Sequence, residues 1–384
     1  MKSRNKVSFA MFSDIHYHQY ASGVTVEDVA AVERSITDYC LKEKVDFCVF
    51  GGDRFLSHTP EDWIRMYADR EQRYRDDNGI VTFSLVGNHD WWAKSPTAGH
   101  SNRFVQELWH DVHPNLVIMD KPGTYEHVSI PGVAIHALPA TYSFDWSYFK
   151  INPNTYNVLL FHDLLEGAQI DVQTGYRAPK GVSLSSLDHA AFDCVLGGDV
   201  HLPQPLPFKN TRGGYVGAPI QQSRRDRGDR RGWLHVTLIE GDFATKYIDA
   251  AIPRFVDAEW DVDTHNGQLP TSAEVEALTY ERYGESCTGN IVDLIMSGSR
   301  SVLDNVSGEY LEKLRDELGA RRVNPPTKRV TSSVVIATEA PKAASPVAEF
   351  EAFLRSGRVS VEGLDVGRLL EKVTPIVTRL VGGS

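Results

Sequence analysis

The sequence predicts an α/β fold: a two-sheet core flanked by helices, then a small α/β domain and a C-terminal helical tail. Over the first 90 or so residues, apolar strand-like runs alternate with amphipathic helical stretches. That βαβαβ order implies parallel strands with helices packed on them. From about residue 115, short strand-like runs separated by turns take over, which calls for a second sheet against the first. The length, 384 residues, asks for more than one small domain.

Taken in order, Val7–Phe12 reads as a buried first strand. It ends in Ser-Asp with no small-residue cleavage site, so it is not a signal peptide. Thr25 caps a helix over 26–44, with Asp28 in the capping-box position. Asp46–Phe50 is a second strand, Thr59-Pro60 opens a second helix with Pro at its first position, and Ile80–Val86 is a third strand. Later strands are expected at 116–119, 124–130, 133–138, 157–161, 192–197, 213–217, 232–239 and 244–249. A new unit starts near Ile252-Pro253-Arg254-Phe255 and reads strand, helix 272–283, strand 290–297, helix 307–319. Residues 338–346 are a Pro- and Ala-containing linker, and 347–384 have helical apolar spacing interrupted at Pro375. The expected division is therefore 1–250, 251–337, 338–346 and 347–384.

Composition narrows the function classes. A net charge of −11 argues against a basic coat for non-specific nucleic-acid binding, while leaving room for a local basic groove. No apolar run approaches the ~18 residues of a membrane span. Cys40, Cys48, Cys194 and Cys287 have no CxxC spacing, which fits neither a zinc knuckle nor a disulfide scaffold and suggests a reducing cytoplasm.

The chemistry-bearing motifs are separated from chance by context. Asp-x-His occurs at 14/16, 111/113, 199/201 and 263/265, but only the first and third directly follow a buried strand. The same test selects Gly51-Gly52-Asp53, Gly87-Asn88-His89-Asp90 and His162. Five strands thus end in carboxylate, imidazole or carboxamide groups, and open α/β sheets bind ligands beyond the carboxyl ends of their strands. Mixed imidazole and carboxylate donors suit Mn, Fe or Zn. A carboxylate shared by two ions would make a clamp for in-line phosphoryl displacement.

In order and spacing over residues 7–201, these motifs resemble the calcineurin-like metallophosphoesterase superfamily. The resemblance implies two divalent ions, Mn foremost with Fe, Zn or Mg as alternatives. Asp14, His16, Asp53 and His201 would hold one, and Asp53, Asn88, His162 and Asp199 the other. It makes His89 the catalytic group at the leaving oxygen, oriented by Asp90. Ile135–Pro139, Tyr215–Pro219 and Arg231–Val236 look like the later strands of SbcD-type DNA nuclease subunits, and Ile252–Val256 resembles the entry to that family's DNA-facing capping domain. That likeness implies a DNA-facing capping domain at 251–337, an SbcC-like ATPase partner bound through 347–384, and a homodimer within the complex. Two positions depart from the pattern. Asp199 stands where the family usually has His, and Leu56 stands where many relatives carry a polar residue, with His58 close by.

Arg224, Arg225, Arg227, Arg230 and Arg231 form a basic run, read either as phosphate-backbone contacts or as a solvated loop offset by Asp226 and Asp229. Trp91 and Trp92 read either as a stacking wedge for a nucleic-acid end or as core beneath the site loop. The expected reaction is hydrolysis of DNA phosphodiesters. The alternatives are a small-substrate phosphoesterase (a phosphoprotein phosphatase or cyclic-nucleotide phosphodiesterase) and a non-catalytic metal-containing binding subunit.

Overall fold

The computed structural model describes residues 5–20, 23–91, 109, 111–171, 174–240 and 242–331. The chain divides into two units, Met1–Val330 and Thr331–Ser384. Trp92, the linker and the helical tail lie outside the described residues.

The first layer is built from β1 (Lys6–Phe12), α1 (Val26–Glu43), β2 (Phe47–Phe50), α2 (Asp62–Asp77), β3 (Thr82–Leu85) and β4 (Leu116–Met119). The second contains β5 (Gly123–Tyr125), β6 (Val133–Leu138), β7 (Tyr156–His162), α3 (Leu184–Leu187), β8 (Cys194–Gly198), β9 (Gln204–Pro205) and β10 (Gly213–Tyr215). The chain then returns with β11 (Gly232–Ile239) and β12 (Asp242–Asp249). The last described part is β13 (Phe255–Asp261), α4 (Ser272–Tyr283), β14 (Ile291–Gly298), α5 (Arg300–Leu303), α6 (Gly308–Leu318), β15 (Arg322–Val323) and β16 (Thr327–Val330).

Period-2 alternation in the sequence decides which side chains meet. Val7, Phe9 and Met11 of β1 point into the core between the two sheets, with Val158 and Leu160 of β7. Ala10 and Phe12 point the other way, onto the buried face of α1, which presents Val29, Val32, Ile36 and Cys40. The α1 start is as the sequence predicts: Thr25 and Asp28 form a reciprocal capping box. The second helix begins later than Thr59-Pro60 suggests, because Glu61 keeps extended backbone (ψ 149°) and serves as the N-cap of α2.

Sheet order departs from the expected grouping. The first sheet runs β12-β11-β1-β2-β3-β4 and the second β5-β6-β7-β8-β10-β9. Three of the later strands, β4, β11 and β12, therefore extend the first sheet, with β11 antiparallel to β1. Residues 255–330 form a third sheet with their own core of Val256, Ala258, Leu294, Met296 and Leu314.

Candidate metal centre

β1, β2 and β3 are parallel neighbours in one sheet, and β7 and β8 are parallel neighbours in the other. Their carboxyl ends meet at one rim, and the last residue of β7 (His162) together with the loops leaving the other strands carries every metal-ligand residue expected from the sequence. Asp14, His16, Asp53 and His162 are buried, His201 and Asp199 are partly exposed, and Asn88 is exposed.

The loops are tightly constrained. Asp14, His16, Asp53 and Asp199 take φ of 53°, 46°, 60° and 82°. This left-handed region costs L-residues about 1–2 kcal/mol each, and such strain gathers at functional sites. Gly52 (φ 110°) and Gly87 make room for the ligands themselves. A Cβ at 52 would lie 2.4 Å from His162 Nδ1, and one at 87 would lie 2.1 Å from Asp53 Oδ1.

Asp53 lies at the middle. Its Oδ2 is 3.6 Å from His16 Nε2 and its Oδ1 is 3.4 Å from His162 Nε2. His16 Nε2 and His201 Nε2 approach to 3.2 Å, and His162 Nε2 lies 3.0 Å from Asn88 Oδ1. Two groups of donor atoms, Asp14–His16–His201 and Asp14–Asp53–His162, each fall within 4.8 Å of one another. Asp14 therefore belongs to both clusters. Asp199 belongs to neither, and it donates its backbone N–H to both Asp14 oxygens at 3.1 Å. His162 Nδ1 faces the Gly51 carbonyl at 2.7 Å. A carbonyl only accepts, so Nδ1 carries a proton and Nε2 is the nitrogen turned to the cluster.

The electrostatics show what this donor set requires. Burial, reinforced by Asp53 and Asp199 and opposed by His162, raises the Asp14 carboxyl to about 7. Burial lowers His16 to about 3, and burial together with the Arg231 charge lowers His201 to about 4, so both rings are neutral at physiological pH. Burial would also lower His162, but Asp53, Asp14 and Asp199 outweigh it and raise this ring well above its ordinary value. Asp53 moves oppositely: burial would raise it, and His162 and His16 hold it below the usual carboxylate range. Three carboxylates share one cationic ring, and buried charge of one sign calls for cations. Neutral imidazoles and carboxylate oxygens converging on two points fit two divalent ions.

The other sequence expectations fare differently. His89 enters the site with its ring edge-on to His16 at 5.1 Å. Its orientation does not come from Asp90. His89 Nδ1 faces the Leu56 carbonyl at 2.7 Å, while the Asp90 carboxylate accepts from the backbone N–H of Asp53, Arg54 and Gly87 at 2.9–3.0 Å. Asp90 thus clamps two ligand loops together. The Trp91 ring is 3% exposed in the core, which leaves no face for a base. Within the chain Arg224 pairs with Asp293, Arg227 with Asp257, Arg230 with Asp249, and Arg231 with Asp226 and Asp229. Arg225 lines a cavity of about 530 Å³ beside Asp199 and His201. The excluded Asp-x-His pairs are structural: His113 bridges Asp69 and Asp76 of α2, and His265 stacks on Trp260.

Sequence reasoning missed Gln222 and Tyr20, whose side chains donate to the backbone carbonyls of Asp14 and His16 at 3.2 and 2.9 Å. Neither has a motif, because a side chain that reads a carbonyl can come from any loop. His58 stacks on His89 at 5.5 Å with a 10° tilt, and its proximity to Leu56 was the available signal.

Residues 7–203, just over half of the chain, match the sequence model of the family described as Calcineurin-like phosphoesterase. The chain is similar to the DNA double-strand break repair protein Mre11 of Haloferax volcanii, 30% identical over 224 residues, covering 56% of this chain and 46% of that protein. It is also similar to the protein of that name from Archaeoglobus fulgidus, 24% identical over 240 residues, covering 57% and 52%. The chain spans about half the length of these curated relatives. Among solved structures, a dimetal phosphatase from Danio rerio aligns with a TM-score of 0.40 and 14% identity, over 63% of this chain and 97% of that one.

Proposed function

The chain belongs to the calcineurin-like phosphoesterase family, whose members use divalent metals, and from that premise we propose that it hydrolyses phosphodiesters of DNA with two bound ions. The observation that carries the reading is the pair of convergent donor groups that share Asp14, with Asp53 of one group turning one oxygen toward His162 and the other toward His16 of the second. Asp14, His16, Asp53 and His201 would hold one ion, and Asp53, Asn88, His162 and Asp199 the other. Bound ions of this kind neutralise phosphoryl oxygens and acidify water.

The protein's own groups then do the following. His162 and His89 are held in single orientations by the Gly51 and Leu56 carbonyls. Because Nδ1 of His89 donates to Leu56, a proton on Nε2 is the one available to the departing sugar oxygen. The left-handed loops keep the ligands preorganised. Mn is the proposed metal, since Asp199 adds hard oxygen where an imidazole is usual.

Similarity to the Mre11 proteins, named for DNA double-strand break repair, supports DNA as substrate and a role in its repair; the proposal extends to residues 251–337 as a DNA-facing cap and to 347–384 as the segment that binds an SbcC-like ATPase. A homodimer in the complex is part of the same proposal. The test is Mn-dependent release of nucleotides from linear duplex DNA, run beside a generic aryl phosphodiester and with His89→Ala as control. Cleavage of DNA that the variant loses supports the reading. Cleavage of the aryl substrate alone moves the function to small phosphoesters, and no cleavage of either with the ATPase present overturns hydrolysis.

A further inference from the structure

The segment from Gln221 to Arg231 touches two parts of the molecule. Toward the metal centre, Gln222 Nε2 donates to the Asp14 carbonyl at 3.2 Å, and Arg231 Nη1 donates to the His201 carbonyl at 2.6 Å. Toward the third sheet, Gln221 Oε1 accepts from the Phe255 N–H at 2.7 Å, Arg224 pairs with Asp293 at 3.0 Å, and Arg227 pairs with Asp257.

The two ends are tied together inside the segment. Asp226 accepts from Arg231 through one oxygen at 2.9 Å, and through the other from the Gln222 and Ser223 N–H groups at 2.8 and 2.9 Å. Asp229 accepts from Arg231 at 2.8 Å. Arg231, Asp257 and Asp293 are 1%, 2% and 2% exposed. Charges buried this deeply are costly to separate from their partners, so the segment behaves as one body from the ligand carbonyls to the third sheet.

Of the two residues whose carbonyls it reads, His201 belongs to one donor group alone and Asp14 to both, and in the ligand sets proposed above both serve the same ion. The other half is oriented from elsewhere: His162 by the Gly51 carbonyl, and the Asn88 loop by Asp90 and Asp53. We propose that Gln221–Arg231 is a positioning strap through which the third sheet sets the Asp14/His201 half of the metal centre, with Arg231 as its central positioning residue. The proposal rests on the two-metal reading given above. It makes the two ion positions unequal, since one depends on residues beyond 254 and the other does not.

The test is Mn²⁺ titration of the full chain, with affinities from calorimetry, the coupled-pair signal from electron paramagnetic resonance, and thermal unfolding alongside. Arg231→Lys and Gln222→Leu alter the strap at the site, and Asp257→Asn alters it at the third sheet, away from every ligand loop. Wild type is expected to take up two ions. Each variant is expected to hold one ion within about twofold of wild type and to bind the other about 10–100-fold more weakly, the range for groups that orient ligands. If Arg231→Lys does not fold, the other two variants decide. Equal weakening of both ions, or wild-type affinity for both, overturns the strap and leaves the proposed function standing. A wild-type protein that takes up no Mn²⁺ overturns the proposed function itself.

Discussion

Two clusters of buried charge sit close along the chain and behave oppositely. Behind the first sheet, Glu33 is sealed with Arg54, Arg75 and Tyr17, all at 0% exposure. At the rim, Asp14 and Asp53 are buried as deeply, at 0% and 2%. Burial acts to raise the carboxyls in both places. In the first, Arg54 and Arg75 overcome it and hold Glu33 down to about 2. In the second, Asp53 and Asp199 reinforce it and Asp14 rises to about 7. The chain supplies cations for the scaffold cluster and carboxylates in excess for the rim. The two clusters adjoin in the sequence, since Arg54 follows Asp53, and the Arg54 N–H donates to Asp90 at 2.9 Å. One buried network therefore anchors the loop that carries Asp53.

The comparison breaks most sharply at Glu33. Glu33→Gln strands two buried guanidinium groups and should cost about 3–5 kcal/mol of stability in urea unfolding. A loss below 1 kcal/mol would show that the network is not a scaffold. Asp53→Asn should also lower metal-free stability, because the ionised carboxylate pairs with His162 and is held below its ordinary range, but its larger effect is functional: hydrolysis falls by at least the roughly 10²–10³-fold that loss of one transition-state charge contact costs. Retained hydrolysis would remove Asp53 from the centre.

Proton linkage sharpens the contrast further. Asp14 has a folded value raised from 3.8 to about 7. Its contribution to metal-free stability is therefore full below 3.8 and is lost as pH rises towards 7. His16 and His201, lowered from 6.5 to about 3 and 4, contribute stability that is full above 6.5 and lost as pH falls through that window. Metal binding requires deprotonated ligands. Between pH 5 and 7 the two histidines are already neutral, so Mn²⁺ affinity should rise with pH as Asp14 ionises. Calorimetry in buffers of different ionisation enthalpy should find more protons released at pH 6 than at pH 8. His162→Gln should remove the part that persists at pH 8, because His162 is the cation of the cluster. Equal release at both pH values would contradict the Asp14 assignment. The smallest effect is expected at Asp199→His, a severalfold shift of preference from Mn towards Zn, read by competition between the two ions.

Much of the rim was legible because strand and ligand are contiguous in sequence: an apolar run ending at Phe12, Phe50, Val86 or Phe161 places the following polar group at a strand's carboxyl end. The strands that close the first sheet were not legible in the same way. β11 pairs with β1 from Lys6↔Ile239 to Met11↔Leu234, and no local pattern states which distant edge a strand will choose. The arginine run shows the same limit. Its charges were visible, but Asp257 and Asp293, which pair with Arg227 and Arg224, lie on strands that only the tertiary fold brings near. Asp90 was misread because adjacency to His89 suggested a side-chain partner, whereas a turn points its carboxylate back at three backbone N–H groups.

The left-handed residues at 14, 16, 53 and 199 have a consequence for how the sequence can change. Glycine adopts that backbone freely, so replacing any of the four with glycine would relax the chain while deleting a predicted metal ligand. Stability and function therefore pull against each other at these positions. A library of variants screened for thermal tolerance alone would enrich glycine there and drift towards a sturdier protein with no metal centre.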